Sequence, residues 1–146
     1  MKISTKGRYA LRFMLEVALA GEGGKISIKT AASRQGLSEK YLEQLIPPLV
    51  RAGHLKSVRG AQGGYMLCRE PADYTVGEIL RAVEGSLAPV TCLDGEEPCA
   101  RADTCATLEV WKRVQDAVNQ VVDGITLQDV CDIQREKGQQ CDGCGC

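Results

Sequence analysis

The sequence contains no apolar run long enough to span a bilayer. Its most apolar stretch, ALRFMLEVALA, is short and is interrupted by Arg12 and Glu16. Nothing near the N-terminus follows the pattern of a secretory leader, so a cytoplasmic location without a membrane partner is expected. There is no nucleotide-phosphate loop, catalytic triad or flavin signature, so an enzyme is not expected. No internal repeat is visible, which excludes solenoid architectures. Histidine occurs once, as His54, and its place just before a candidate hairpin marks it as a surface or groove residue rather than a metal ligand.

Cysteine, by contrast, is abundant: there are eight in 146 residues. In a reducing compartment that density points to metal or redox chemistry more than to a disulfide framework. The apolar fraction of 44% is enough for a core, and the length suits one domain with an appendage.

Net charge is −1, yet it is unevenly spread. Residues 1–60 carry eleven Lys/Arg against four Asp/Glu, whereas residues 61–146 carry seven against fifteen. A basic front half and an acidic back half are expected when one part of a chain meets a polyanion and the rest does not.

The pattern of elements predicts a mainly α chain with a small β-hairpin: a winged helix-turn-helix domain plus a long dimerisation helix. Gly7 to Ala20 reads as a buried helix, apolar nearly all round. Ser27 caps a short helix over Ile28–Gln35 that Gly36 stops. Ser38 caps the next, with Leu37 and Leu42 as a hydrophobic staple. Pro47 and Pro48 predict a kink or restart inside that helix, and Gly53 ends it. HLKSV and YMLC flank RGAQGG as a hairpin. Thr75 and Glu78 form a capping box for VGEILRAVE, closed by Gly85. A helix over about Ala106–Asp123 carries a stripe of Trp111, Val114, Val118 and Val121, and Thr126 with Asp129 opens a last helix. Cys68 and Cys131 read as packing residues. The tail QQCDGCGC is expected to be disordered, either a metal-scavenging segment or an unselected end.

Ala32, Gly36 and Leu42 satisfy the turn of a helix-turn-helix, whose second helix enters the major groove. That helix would offer Tyr41 and Gln44 for polar base or phosphate contacts, Lys40 for phosphate, and Glu43 to accept from a cytosine amino group. Arg59 at the hairpin tip suits a narrow minor groove. Ser38, Gly60 and Gln62 complete the candidate interface. Arg8 and Arg12 are expected to clamp backbone or remain solvated.

Cys92, Cys99 and Cys105 lie in TCLDGEEPCARADTC, which has almost nothing apolar to pack. Three thiolates there could bind Zn²⁺, ligate an iron–sulfur cluster or act as redox-sensing thiols. Structural zinc prefers paired knuckles and four ligands, which makes it the weaker metal choice.

KGRYAL (Lys6–Leu11), YLEQL (Tyr41–Leu45), SVRGAQGGYML (Ser57–Leu67), VGEIL (Val76–Leu80) and the three cysteines occur in this order, and together they resemble the IscR-like family of iron–sulfur winged-helix transcription regulators. Relatives in that family sense nitric oxide (NsrR) or govern cysteine metabolism (CymR). The likeness spans nearly the whole chain, to about Asp132. It implies a cytoplasmic homodimeric repressor on a near-palindromic double-stranded DNA operator, controlling cluster-assembly genes, with cluster-assembly proteins as possible partners. By the resemblance, Glu43, Gln44 and Arg59 read the operator, and Cys92, Cys99 and Cys105 hold an iron–sulfur cluster, [2Fe–2S] in preference to [4Fe–4S].

Two departures stand out. Leu108 occupies the place of a ligand histidine, and Arg8 stands where [4Fe–4S] relatives carry an acid. Glu109, Asp103 or a tail cysteine are therefore candidates for the fourth ligand. Nitric oxide or cysteine sensing on the same fold is the alternative function, and a redox or electron-transfer protein is the alternative from another class. The expected organisation is a DNA-binding domain over 1–85, a cysteine loop over 86–105, dimerisation helices over 106–137 and a flexible Cys-rich tail over 138–146.

Overall fold

A computed structural model describes residues 2–95 and 97–143. Six helices and one hairpin follow in order: α1 (Thr5–Leu19), α2 (Ile28–Gln35), α3 (Glu39–Arg51), β1 (Leu55–Val58), β2 (Gly64–Leu67), α4 (Val76–Glu84), α5 (Ala106–Gly124) and α6 (Leu127–Gly143). Short 3₁₀ turns at Pro71–Asp73 and Thr91–Leu93 lead into α4 and the cysteine loop.

The helix ends form where the capping residues stand. Ser27 Oγ accepts from the Thr30 N–H at 3.0 Å and Ser38 Oγ from the Tyr41 N–H at 3.1 Å. Gly36, at φ 65°, takes the left-handed turn that lets α3 fold back on α2. Thr75 and Glu78 make the full capping box, each side chain meeting the other's backbone N–H. Asp129 Oδ2 accepts from the Thr126 N–H at 2.8 Å to open α6. α1 has no acid in its own first turn. Glu84, at the end of α4, supplies one: its Oε1 accepts from the Ser4 N–H at 2.9 Å and the Gly7 N–H at 3.0 Å. Nothing in the local sequence announces that cap.

One core joins α1, α2, α3, the hairpin, α4 and α6 around Phe13, Met14, Leu42, Ile46, Leu49, Tyr74, Ile79 and Leu127. The hairpin pairs Leu55 with Leu67 and Val58 with Gly64. The α1–α2 connection adds a third rung, Ile26 bridging Tyr65 through two backbone hydrogen bonds of 3.0 and 2.9 Å. Gly64 allows it, since a Cβ there would lie 2.5 Å from the Ile26 carbonyl oxygen.

Several expectations are corrected. α3 runs unbroken from Glu39 to Arg51 with Pro47 and Pro48 inside it. Leu45, Ile46 and Leu49 are buried on both sides of the prolines, and the carbonyls that lose donors belong to Glu43 and Gln44, both exposed to water. α1 is buried along one face, with Arg8 and Arg12 exposed and Leu19 at the surface. Cys131 packs in the core as expected, but Cys68 is exposed. Only its backbone N–H is engaged, at the end of β2, and its side chain faces a surface cavity of about 470 Å³ between the α1–α2 turn, the hairpin root and α6. His54 is buried, 6% exposed, because it turns under the hairpin instead of into a groove. The backbone of α6 continues to Gly143, past the boundary expected at residue 137, while Cys144 and Cys146 lie outside the described residues.

Candidate nucleic-acid interface and cysteine loop

The helical period of α3 divides its residues cleanly. Leu42, Leu45, Ile46 and Leu49 face the core, while Lys40, Glu43 and Gln44 are exposed together on the opposite face. Ser38 is occupied by its capping role. Tyr41 is half-buried: its ring stacks edge-on against Tyr9 of α1 at 5.9 Å, and the Arg12 guanidinium lies 5.5 Å from the Tyr9 centroid. The Tyr41 hydroxyl is buried and makes no hydrogen bond. Tyr41 thus braces α3 against α1, which corrects the expectation of an outward polar contact from its hydroxyl.

The hairpin tip projects Arg59, Gly60 and Gln62, all exposed. Gly60 sits at φ 114°, a conformation that side chains disfavour. The Gly63 N–H closes the loop on the Gly60 carbonyl at 3.0 Å. An exposed helix face bearing Lys40, Glu43 and Gln44 and an arginine-tipped hairpin thus stand in solvent on one basic head.

The hairpin root is organised by Tyr74, which is fully buried. Its hydroxyl donates to the His54 carbonyl at 2.8 Å and accepts from the backbone N–H groups of Cys68 and Arg69 at 2.9 and 3.0 Å. Arg69 lies over the Tyr74 ring at 4.3 Å, bonds the Asp73 carbonyl at 3.1 Å and approaches His54 Nδ1 at 3.3 Å. Burial pushes the His54 imidazole below its ordinary pKa, Arg69 adds to the shift and Glu78 opposes it.

The cysteine loop runs between α4 and α5. Cys92 is exposed, Cys99 and Cys105 half-exposed. Cys105 is the residue before α5. The Thr107 hydroxyl, 3.2 Å from Sγ, and then the Leu108 N–H hold the thiol below its ordinary pKa. Leu108 is buried, whereas Glu109 is exposed and paired with Lys112 at 2.8 Å. Among the described residues, no three His, Cys, Asp or Glu side chains are gathered into a metal site. Leu108 is the one fully buried residue of α5; Val114, Val118 and Val122 are half-buried, Val122 packing against Val76, Leu80 and Leu87, while Val110, Trp111 and Val121 are exposed.

Comparison with known proteins decides the lineage. The family profile for Rrf2, an iron-dependent transcriptional regulator, matches residues 3–133. The chain belongs to the Rrf2 family. It is 49% identical over 130 residues to the HTH-type transcriptional regulator CymR of Bacillus subtilis, covering 89% of each chain. The solved structure of that protein, the global cysteine regulator, superposes with a TM-score of 0.76 over 91% of this chain and 98% of its own. The structure of IscR from T. potens does so with a TM-score of 0.76 at 44% identity, covering 94% and 90%. This Rrf2-family chain is accordingly a DNA-binding transcriptional regulator with a winged-helix fold, and not an enzyme. Among the described residues no helix is long and apolar enough to cross a membrane.

An Rrf2-type metal centre is tested by the donors present. Three thiols stand clear of the core, and one is biased toward thiolate at a helix N-terminus. Their chemistry fits a soft metal or an iron–sulfur cluster, provided that the loop folds to gather them. The buried Leu108 offers no fourth donor, leaving Glu109 and Asp103 exposed nearby.

The sequence reading missed three groups that hold this site together. Tyr74 and Arg69 order the hairpin root. Arg81 of α4 grips α5 through Asp123 at 2.6 and 3.0 Å and Asn119 at 2.7 Å. Gly77 makes that grip possible, since a Cβ there would collide with the Asp123 carboxylate. The only advance signal was the position of Gly77 inside a helix, where glycine costs about 1 kcal/mol relative to alanine and so implies a packing reason.

Proposed function

We propose that this regulator is a homodimer whose Cys92–Cys99–Cys105 loop holds an iron–sulfur cluster, [2Fe–2S] in preference to [4Fe–4S], and that cluster status sets its grip on operators of cluster-assembly genes, acting as a repressor. The observation that carries the reading is the contrast among its cysteines: Cys131 is buried in the core, whereas the three loop thiols are available and sit directly before α5. A bound cluster would supply a redox- and iron-responsive crosslink between those thiols. Cys92, Cys99 and Cys105 would hold it. Because the thiols are not yet gathered, binding would order the segment ahead of α5, coupling occupancy to conformation.

The dimer is supported by the exposed Val110, Trp111 and Val121 on α5, an apolar face with no cover within the chain. A two-fold pair would place recognition helices about 34 Å apart, requiring a near-palindromic site. Lys40, Glu43 and Gln44 would meet the major groove, and Arg59, Gly60 and Gln62 the adjacent minor groove. A cytoplasmic setting suits this assignment, and cluster-assembly proteins are natural donors to the loop.

The second reading, regulation of cysteine metabolism, is favoured by the 49% identity to CymR. Anaerobic purification followed by iron, sulfide and visible-absorbance measurements separates the two. The expected outcome is a coloured protein with on the order of two irons per chain, lost in Cys92→Ser, and an operator affinity that differs between loaded and stripped protein. A colourless, iron-free protein with unchanged operator binding moves the assignment to cysteine metabolism, and a zinc-loaded one to a structural zinc site.

A further inference from the structure

The geometry points to Tyr74 as the positioning residue that carries the placement of the α5–α6 corner to the DNA-contacting hairpin. The inference rests on the reading of Arg59 as a DNA contact. Tyr74 faces two elements at once. Its hydroxyl binds both strands of the hairpin at their root: the His54 carbonyl before β1, and the Cys68 and Arg69 N–H groups after β2. Its backbone carbonyl accepts from the Leu127 N–H at 3.0 Å, and two residues on, the Val76 N–H donates to the Ile125 carbonyl at 2.9 Å. Thr75, before α4, and Thr126, at the α5–α6 corner, thus bridge as a short antiparallel rung.

That rung is held on its other side by the Arg81 clamp on Asn119 and Asp123, five residues and one residue before the end of α5. A bidentate arginine–carboxylate pair fixes orientation as well as distance. A shift or rotation of α5 is therefore delivered to residues 125–127, from there to the Tyr74 backbone, and through a rigid ring with no exposed surface to the hairpin root. Arg69 lies over the ring at 4.3 Å and His54 meets it edge-on at 5.6 Å, so the ring is held from two directions. Arg59 lies four residues beyond Leu55 and five before Gly64, on the arm that this root aims.

The test is operator binding by Tyr74→Phe in a double-mutant cycle with Arg59→Ala. Phenylalanine keeps the ring and removes only the hydroxyl. The expected result is an affinity loss of about three- to tenfold for Tyr74→Phe in the Arg59 background, in keeping with the loss of hydrogen bonds to neutral groups, and no further loss once Arg59 is alanine. Equal losses in both backgrounds overturn the proposal and leave Tyr74 as ordinary packing. No loss from Arg59→Ala alone overturns the DNA reading of the hairpin instead, and this proposal with it. Arg81→Gln, whose partners are partly exposed, keeps the test open if Tyr74→Phe fails to fold. Amide exchange at Cys68 and Arg69 should quicken in Arg81→Gln although neither residue touches Arg81. Unchanged exchange there overturns transmission from α5.

Discussion

The winged head and α5 are built from similar proportions of apolar residue, but they use them in opposite ways. In the head, Phe13, Met14, Leu42, Ile46 and Leu49 are all within 1% of complete burial. In α5, nineteen residues long, only Leu108 is buried, and Val110, Trp111 and Val121 face outward. Apolar surface withdrawn from water contributes roughly 25 cal/mol per Å², so within this chain the head gains far more from burial than α5 does. The links follow the same division. α5 is fastened to the head by the Arg81 grip on Asn119 and Asp123, by the rung at residues 125–127 and by Val122 and Ile125 against the small Val76–Leu80–Leu87 cluster. A helix anchored at its C-terminal end, with most of its length exposed, is suited to report on what happens at its N-terminal end.

The contrast is broken most strongly by matched substitutions in the two regions. Phe13→Ala should lower the unfolding free energy by about 3–5 kcal/mol, the usual cost of an aromatic cavity, read by denaturant unfolding. For the homodimer proposed above, Val121→Asp should leave the head's unfolding nearly unchanged yet abolish pairing in sedimentation and weaken operator binding by roughly a hundredfold or more, since both half-sites would no longer be bound as a unit. Equal effects of the two changes on unfolding would mean that α5 is packed like the head.

A smaller effect probes the fastening itself. Gly77→Ala places a methyl group against the Asp123 carboxylate and near Arg81, so it should destabilise by about 1–3 kcal/mol despite alanine's higher helix propensity. In an Asp123→Ala background the same change should become neutral or favourable. A stabilising Gly77→Ala in the otherwise unaltered protein would show that α4 and α5 are not held at this distance.

How much of this was legible beforehand divides along the same line. Capping residues and turn glycines act over three or four positions, so Ser27, Gly36, Ser38, Thr75 and Glu78 announced their helices directly. The outward set on α3 followed from period alone, except for Tyr41, whose ring is claimed by Tyr9, thirty-two positions earlier. Pro47 and Pro48 misled because local propensity says nothing of the buried leucines and isoleucine flanking them, which keep the helix whole. His54 and Cys68 were exchanged in burial for a related reason: the side chain that organises both, Tyr74, lies outside either strand. The partners of Glu84 and of Arg81 are 80 and 42 residues away, and no spacing rule reaches that far. The family resemblance supplied the architecture, but it could not say that Leu108 turns inward.

The mildest expected effect concerns acid. Burial holds His54 in its neutral form, with Arg69 3.3 Å from Nδ1 reinforcing that preference. A group whose folded pKa lies below its unfolded value contributes stability that is present above the unfolded value, near 6.5, and lost as pH falls through the lowered one. Glu78 is also depressed, first by the Thr75 backbone hydrogen bond and further by Arg69. Its contribution is lost at more acid pH, in the carboxylate range, and so does not overlap the histidine's onset. The unfolding free energy should therefore begin to decline just below pH 6.5, ahead of any carboxylate titration, and His54→Gln should remove that early decline while leaving the later one. Because protonated His54 would oppose Arg69 at the hairpin root, operator affinity should fall over the same interval in the unaltered protein and stay level in His54→Gln. An early decline that survives the substitution would show that His54 is not its source; nor would the Arg81-paired Asp123 be, since it is itself held below the ordinary carboxylate range and titrates only at more acid pH.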